Sequence, residues 1–216
     1  MEPTQLFEQL DFEENPIFER IISDLQEKKF SVIDTFFDLD EVETLRSSLW
    51  REYEKDHFKK AGIGSKLNEL VEKEIRGDFI FWLNEATGNP SEKHFFAKIN
   101  DLVNYLNRTC FMGILQKEFH YALYPKGTFY KRHLDVFQDD DRRKLSFVCY
   151  LNDEHWENEN GGELVLYPEE QGEETMKKIF PLPGRAVIFE SQVLEHEVKP
   201  VLKSERLSIT GWFKTR

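Results

Sequence analysis

Apolar residues recur at every third or fourth position in three stretches before residue 111, a spacing that places them on one face of a helix. The first stretch, residues 17–29, follows Asn15 and Pro16, which suit the cap and the first position of a helix. The second covers residues 41–56, and the third covers residues 91–110. The pattern therefore predicts three amphipathic helices.

Two stretches between these helices carry the β-branched and aromatic residues typical of strands, namely FSVIDTFF at residues 30–37 and IRGDFIFWL at residues 75–83. Asp38 or Asp40 is placed to cap the second helix. From residue 58 to residue 74 the pattern weakens, and the sequence AGIGS is typical of a mobile loop. We therefore expect a layer of helices behind a sheet.

After residue 111 the chain changes to short strands separated by Gly, Pro and Asn-Asp turns, which predicts an antiparallel sandwich or a double-sheet barrel. No linker long enough to separate two domains interrupts the sequence. We predict one α+β, mainly β domain over residues 1–216, in which residues 1–110 supply a helical buttress and the first strands and residues 111–216 the β core. The predicted strands of the core are KEFHYALYP, GTFYKRHLDV, KLSFVCYLN, GGELVLYP, GRAVIFES, HEVKPVL and RLSITGWF.

Composition narrows the classes of function. The net charge of −12 opposes unassisted binding to nucleic-acid phosphates or to an anionic membrane, and the basic residues of DDDRRK are expected in a solvated turn. Only two cysteines occur, Cys110 and Cys149, too few for a disulfide framework or a four-cysteine zinc site, so both are expected to be reduced core residues. The first residues are acidic, and no run of 18 apolar residues appears. These features predict a soluble cytoplasmic protein.

A histidine and an aspartate lie two residues apart in the predicted strand GTFYKRHLDV. Residues i and i+2 of a strand share a face, so His133 and Asp135 are expected on one side and Leu134 on the other. His196, at the start of a later strand, is the candidate third ligand. Two imidazoles and one carboxylate leave open positions on a metal, which suits non-haem iron(II) better than calcium.

A surface location is the alternative for each of these residues, because a single H-x-D triplet occurs on many exposed strands. The other histidines have poorer surroundings for metal binding, since they lie at a charged helix end, near a helix start and in a polar turn. We expect these at the surface: His57, His94 and His155.

The predicted strand RLSITGWF places Arg206, Ser208 and Thr210 on one face. A basic, hydroxyl-lined face inside a barrel is expected to hold an anion, and a guanidinium can grip a carboxylate at two points. Iron(II), one aspartate and Arg206 together carry two net positive charges, which a short dicarboxylate would neutralise. By the same alternation Tyr150 and Tyr124 could reach this cavity, although a packed core position suits either tyrosine.

These motifs, in this order, resemble the 2-oxoglutarate- and iron(II)-dependent prolyl hydroxylases, in the branch of the animal oxygen-sensing enzymes and their bacterial relatives. The resemblance covers residues 76–216 and implies a double-stranded β-helix, or jelly-roll, core. It rests on IRGDFIFW, YPKGTFYKRHLD, CYLN, GGELVLYP, GRAVIFES, HEV and RLSITGWF.

The resemblance implies iron ligation by His133, Asp135 and His196, with dioxygen as co-substrate and ascorbate as reductant. It implies that Arg206 and Tyr150 bind the distal carboxylate of 2-oxoglutarate. The implied lining of that pocket is Tyr124, Thr210 and Leu164, and the implied peptide-binding residues are Arg76, Asp78, Arg143 and Trp212. The segment before Arg76 matches the family's mobile substrate loop.

The function implied is hydroxylation of a prolyl residue in a protein, for example an abundant cytosolic translation factor, by a monomeric enzyme that binds neither nucleic acid nor membrane. YPKGT is one residue shorter than the animal pattern, and residues 62–74 have their own sequence, so the substrate stays open. Two alternatives are the same chemistry on a free amino acid or on nucleic acid, and a non-catalytic jelly-roll module with a structural metal. A structural site would normally be closed by a fourth protein ligand, and only three good ligands are visible.

Overall fold

The computed structural model of the chain describes residues 13–61, 75–136 and 142–215. Within these residues it has three α-helices, α1 (Pro16–Lys28), α2 (Leu39–Glu54) and α3 (Pro90–Cys110). Each helix begins after a residue whose side chain accepts hydrogen bonds from the first backbone N–H groups, which have no partner within the helix. These caps are Asn15, Asp38 and Asn89. All three helices were predicted from their spacing, and Asp38 rather than Asp40 caps the second.

A seven-stranded antiparallel sheet, the major sheet, lies behind these helices. Its last strand in sequence is central, so residues 206–214 pair with a strand on either side. The strands lie in the order β1 (Phe30–Ile33), β11 (Ala186–Glu190), β6 (Arg143–Tyr150), β13 (Arg206–Lys214), β4 (Gln116–Tyr124), β3 (Phe79–Trp82) and β2 (Lys59–Lys60).

A second antiparallel sheet of four strands, the minor sheet, has β12 (His196–Val198) paired with β5 (Tyr130–His133), so that His196 lies opposite His133. The charged hairpin of β8 (Glu169–Glu170) and β9 (Glu173–Glu174) follows β7 (Leu164–Leu166). The strands of the minor sheet lie in the order β10 (Lys177–Ile179), β7 (Leu164–Leu166), β12 (His196–Val198) and β5 (Tyr130–His133).

Side chains alternate across the major sheet and thus supply two cores. The face toward the helices holds a cluster of aromatic rings that includes Phe36, Phe95, Phe119, Phe147 and Phe213. The opposite face meets the minor sheet in a smaller cluster that includes Ala122, Tyr124, Val148, Tyr150, Leu164 and Phe189. Two antiparallel sheets face to face form a double-stranded β-helix, and the helices buttress it from one side. The predicted fold class is confirmed.

The predicted strand over residues 30–37 is too long, because β1 ends at Ile33. The N–H groups of Phe36 and Phe37 donate to the carbonyl of Gly184, at 3.0 and 3.1 Å, which turns the chain and sends both rings into the helical core. Gly184 has a φ of +73°, and a Cβ there would lie 2.0 Å from the carbonyl oxygen of Phe37. Only glycine fits this approach.

Other predictions differ in detail from the structure. The strands over residues 75–83 and 127–136 are shortened to β3 and β5, and the charged strands β2, β8, β9 and β10 were not predicted. Cys149 is buried as expected, but Cys110 is only half-buried; both are free. Residues 62–74, predicted to be a mobile loop, lie outside the described residues. None of the described helices is long and apolar enough to cross a membrane.

The sequence predicts that the basic residues of DDDRRK lie in a solvated turn. The structure shows that at least one of them is buried. Residues 139–141 lie outside the described part of the chain. Arg143 begins β6 and is only 8 % exposed, because its guanidinium stacks on the ring of Trp212. The prediction of a solvated turn is therefore wrong at this residue.

Candidate metal and co-substrate site

A cavity of about 280 Å³ opens between the two sheets. Its wall is contributed by β3, β4, β6, β11 and β13 of the major sheet, by β5, β7 and β12 of the minor sheet, by residues 75–76 and by the turn after β5. Ten of the twelve site residues predicted from the sequence line it: Arg76, Tyr124, His133, Asp135, Arg143, Leu164, His196, Arg206, Thr210 and Trp212. The other two, Asp78 and Tyr150, are buried behind this lining.

The three predicted metal ligands converge at one point of the cavity wall. His133, Asp135 and His196 each offer a ligand atom, and these atoms lie within 4.8 Å of one another. His133 Nε2 is 3.5 Å from Asp135 Oδ1, and His196 Nε2 is 3.5 Å from Asp135 Oδ2. This spacing allows one ion to contact all three side chains.

The reason given for this convergence from the sequence is wrong in one respect. The strand β5 ends at His133, and Asp135 lies in the bend that follows. Strand alternation therefore does not bring His133 and Asp135 to one face. The bend instead turns the Asp135 carboxylate toward Ser146 of the major sheet, whose hydroxyl donates to Oδ2 at 2.7 Å.

Both imidazoles are oriented with Nε2 toward this point. His133 Nδ1 lies 2.7 Å from the carbonyl oxygen of Lys131, and His196 Nδ1 lies 3.3 Å from that of Leu194. A carbonyl oxygen only accepts, so each Nδ1 carries a proton and each Nε2 is the nitrogen that a metal would bind. His133 Nε2 is buried and has no hydrogen-bond partner among the described residues. An ion at this point would satisfy it.

The charges of the three groups also suit a cation. Burial by itself would raise the pKa of Asp135, but His196, His133 and the Ser146 hydroxyl outweigh it and hold that pKa below its ordinary value. Burial lowers the pKa of His196 to about 4, although Asp135 opposes the shift. The site thus presents an ionised carboxylate and, at His196, a neutral imidazole at neutral pH, as metal binding requires.

Arg206 brings a positive charge into the same cavity from the start of β13. It is 2 % exposed, and its guanidinium donates to the Gly162 carbonyl at 2.9 Å and to the Ser208 hydroxyl at 3.2 Å. Its Cζ lies 5.0 Å from the ring centres of both Tyr124 and Tyr150. No carboxylate of the described residues forms an ion pair with Arg206. A buried guanidinium without an anion is costly, so this end of the cavity fits an anionic ligand.

Comparison with known proteins agrees with this geometry. The model of the 2OG-Fe(II) oxygenase superfamily matches residues 119–214. A prolyl-4-hydroxylase of Pseudomonas putida, known from a crystal structure, is 34 % identical, with a TM-score of 0.81 over 92 % of this chain and 99 % of that one. The chain belongs to the prolyl hydroxylase family of 2-oxoglutarate/iron(II) oxygenases.

Two other relatives are either less identical to this prolyl hydroxylase or align with a shorter part of it. The hypoxia-inducible factor prolyl hydroxylase of Caenorhabditis elegans is 29 % identical over 207 residues, which are 91 % of this chain and 28 % of that protein. A PKHD-type hydroxylase of Synechococcus is 38 % identical over 90 residues, 41 % of this chain and 38 % of the relative. The chain spans between 28 % and 39 % of the length of three curated relatives that it matches, these two among them. The family implies iron(II), 2-oxoglutarate and dioxygen as cofactors.

A prolyl hydroxylase of Trichoplax adhaerens, solved with a peptide of hypoxia inducible factor, shares the fold, with a TM-score of 0.82 and 24 % identity over 100 % of this chain and 94 % of that one.

The residues predicted to bind peptide form two arginine clusters at the cavity. The Arg76 guanidinium donates to Asp78 at 2.7 and 2.5 Å and stacks on Tyr130, with Cζ 4.4 Å from the ring centre. Arg143 stacks on Trp212 at 3.5 Å and donates to Glu118 at 3.1 Å. Burial by itself would lower the pKa of Arg76, but Asp78 raises it above its ordinary value. Asp78 therefore fixes the position of the Arg76 guanidinium.

Three residues of the site were not selected from the sequence. Tyr130 stacks on the His133 ring at a centroid distance of 3.7 Å, and Ser146 binds Asp135. His120 is 2 % exposed and lies against the rings of Trp82 and Trp212; burial lowers its pKa to about 3. The signal for His120 was present, since alternation along β4 places it on the Tyr124 face. Alternation along β6 likewise places Ser146 on the Tyr150 face, but its hydrogen bond to Asp135 was not predictable, because Asp135 lies in a bend outside the strands.

Proposed function

We propose that the protein is a 2-oxoglutarate- and iron(II)-dependent dioxygenase that hydroxylates a prolyl residue in a protein substrate and releases succinate and carbon dioxide. The observation that supports this most is that one cavity holds a group of side chains suited to a cation and a buried cation suited to an anionic ligand. A group of two histidines and one aspartate lies within it, and it is also lined by a buried arginine that has no carboxylate partner in the described part of the chain.

Iron(II) would be held by His133, Asp135 and His196, which leave its other positions to co-substrates. When bound, iron with 2-oxoglutarate supplies the oxidative decarboxylation that activates dioxygen for hydroxylation of a C–H bond. The chain's own contribution is to orient both imidazoles through their Nδ1 protons, to keep Asp135 ionised and to shield the reacting atoms within the cavity.

The charge of the site favours 2-oxoglutarate as the co-substrate. Iron(II) and Asp135 leave one positive charge and Arg206 adds a second, so a dianion neutralises a buried site. The distal carboxylate would meet the Arg206 guanidinium and the Tyr150 hydroxyl, which has no hydrogen-bond partner among the described residues. Burial raises the pKa of Tyr150, so the hydroxyl keeps its proton for donation. The walls of this pocket would be Tyr124, Thr210 and Leu164.

A peptide would enter past the two arginine clusters, with Arg76, Arg143 and Trp212 as its contacts and Asp78 fixing Arg76. Trp82 at the cavity is 50 % exposed and adds an aromatic surface on which a proline ring can pack. A proline in a protein is favoured as substrate because the Pseudomonas putida and Caenorhabditis elegans relatives are named prolyl hydroxylases. A cytosolic translation factor is one candidate substrate.

Further elements of the proposal concern the protein as a whole. Residues 1–216 act as a single domain, and the enzyme works as a cytoplasmic monomer that binds neither nucleic acid nor membrane. Ascorbate serves to return oxidised iron to iron(II). The acidic net charge of −12 supports the exclusion of nucleic acid.

The test measures succinate release by the purified protein with iron(II), ascorbate, 2-oxoglutarate and dioxygen. Free proline, proline-containing peptides and oligonucleotides are compared as substrates, and the proposal expects stimulation by peptides. The variant Asp135→Ala should release no succinate and bind no stoichiometric iron, since it lacks one of three ligands. Full turnover by that variant, or stimulation by oligonucleotides alone, would contradict the proposal.

The protein substrate can be sought separately by mass spectrometry. Proteins from cells with and without the enzyme are compared for proline residues that gain the mass of one oxygen atom. A proline modified only when the enzyme is present identifies the substrate.

A further inference from the structure

Two buried serine hydroxyls form a chain that ends on the metal-site carboxylate. Ser146 Oγ lies 2.7 Å from Asp135 Oδ2, and Ser191 Oγ lies 2.8 Å from Ser146 Oγ. Ser146 is 1 % exposed, Ser191 is 0 % exposed and Asp135 is 8 % exposed. Polar groups buried to this degree are retained only when they are hydrogen-bonded, so the three side chains form one unit.

The direction of both hydrogen bonds follows from the number of protons available. An ionised carboxylate only accepts, so Ser146 gives its single hydroxyl proton to Asp135. Ser146 can then only accept from Ser191, whose hydroxyl must be the donor of the second bond. The chain therefore runs from Ser191 through Ser146 to Asp135.

The three ligands differ in what holds them. His133 and His196 lie in paired strands, and their rings are fixed by bonds to backbone carbonyls. Asp135 lies in the bend after β5 and has no strand partner. Within the described residues, the Asp135 carboxylate accepts a side-chain hydrogen bond from the Ser146 hydroxyl. Asp135 is thus the ligand whose position depends most on a side chain outside the metal site.

Ser191 joins the His196 side of the site to the same chain. It follows β11 in the segment that leads to His196, and its N–H donates to the Lys144 carbonyl at 3.2 Å. The two hydroxyls therefore connect the bend that carries Asp135, the strand β6 and the segment that carries His196. A shift of the Asp135 carboxylate would have to break this chain.

We infer that Ser146 and Ser191 are positioning residues: their hydrogen bonds hold Asp135 Oδ2 away from the metal, so that Oδ1 would bind it and the carboxylate would take one coordination position rather than two. The inference rests on the proposed function. A carboxylate bound through both oxygens would take a position that 2-oxoglutarate and dioxygen need. Removing either serine should therefore weaken metal binding and also change the number of donor atoms around the ion.

The test uses cobalt(II) as a spectroscopic substitute for iron(II), bound to the metal-free 216-residue protein without turnover. Titration gives the cobalt(II) affinity, and the intensity of the visible absorption bands falls as the number of donor atoms rises. We expect Ser146→Ala to weaken binding by roughly 10- to 100-fold, as loss of a hydrogen bond to a metal ligand typically does, and to reduce the band intensity. Ser146→Thr, which keeps the hydroxyl, should stay within about threefold of the wild type in affinity.

The second serine gives a sharper test because the two hydroxyls act in series. Ser191→Ala should weaken cobalt(II) binding less than Ser146→Ala does, and it should have no further effect when Ser146 is already alanine. Equal effects of Ser191→Ala in both backgrounds would overturn the inference. So would wild-type affinity and band intensity in Ser146→Ala, or a Ser146→Thr variant as weak as alanine while its melting temperature is unchanged. Failure of the wild type itself to bind cobalt(II) or iron(II) would instead contradict the proposed function.

Discussion

Removal of the Arg206 guanidinium is expected to separate co-substrate binding from metal binding. Arg206 is 2 % exposed, and its hydrogen bonds go to the Gly162 carbonyl and the Ser208 hydroxyl, which are neutral. In Arg206→Met a bound dicarboxylate would have one end buried without a charged partner. Truncating one partner of such a pair costs about 2–5 kcal/mol, which corresponds to a roughly 30- to 4,000-fold weaker 2-oxoglutarate affinity.

The assay is calorimetric titration of 2-oxoglutarate into manganese(II)-loaded protein without dioxygen. Manganese(II) affinity should stay near the wild-type value, because Arg206 is not one of the three predicted metal ligands. Arg20→Met is a matched control, since it removes the same charge from a side chain that is 65 % exposed on α1. Unchanged 2-oxoglutarate affinity in Arg206→Met, or equal loss in Arg20→Met, would refute the reasoning.

Three further predictions concern the surroundings of the site and the core. Gly162→Ala should weaken the binding of 2-oxoglutarate but not that of the metal in the same titrations, because Gly162 has a φ of +67° and its new Cβ would lie 3.1 Å from Arg206 Cδ. Unchanged 2-oxoglutarate affinity would show that this glycine does not position the arginine. Asp78→Asn should lower the free energy of unfolding, measured in urea, by about 3–5 kcal/mol, because it leaves the mostly buried Arg76 without its charge partner. A loss below about 1 kcal/mol, which is typical of a surface ion pair, would argue against a buried pair. Phe147→Ala should lower it by about 3–5 kcal/mol, since this ring is 0 % exposed and contacts other core rings, whereas Phe111→Ala, at 88 % exposure, should change it by less than about 0.5 kcal/mol.

The helices and their caps could be predicted from the sequence because their determinants are local. Asn15 caps α1 through N–H groups only two and three residues away, and Asp38 and Glu41 cap α2 reciprocally within one turn. The apolar spacing of each helix is set by the single face that it buries against the major sheet. Both the cap and the apolar spacing can be read from residues a few positions apart in the sequence.

The strands could be predicted less exactly, and the errors have a common cause. The ends of β1 and β5 are set by contacts with residues far along the chain, such as the Gly184 carbonyl that turns residues 36–37. The strands β8, β9 and β10 are rich in Glu and Lys, so they lack the apolar alternation that marks a half-buried strand. Charged edge strands are recognised only once their partners are known.

The candidate site shows the same division between residue type and placement. The roles of His133 and Asp135 were suggested by strand alternation, yet Asp135 lies beyond the strand and reaches the histidines through a bend. Strand alternation placed Tyr150 on the cavity side of β6; its ring centre lies 5.0 Å from the Arg206 guanidinium carbon, and its contact with a ligand stays a prediction. The chemistry of the residues was predictable, whereas the path of the backbone between them was not.

The central claim is that one ion and one dicarboxylate occupy this cavity together. A crystal structure of the protein grown with manganese(II) and 2-oxoglutarate tests it most directly. The claim predicts density for one ion in contact with His133, Asp135 and His196, and a distal carboxylate within hydrogen-bond distance of the Arg206 guanidinium. An ion bound away from these three side chains, or a carboxylate that does not contact Arg206, would contradict it.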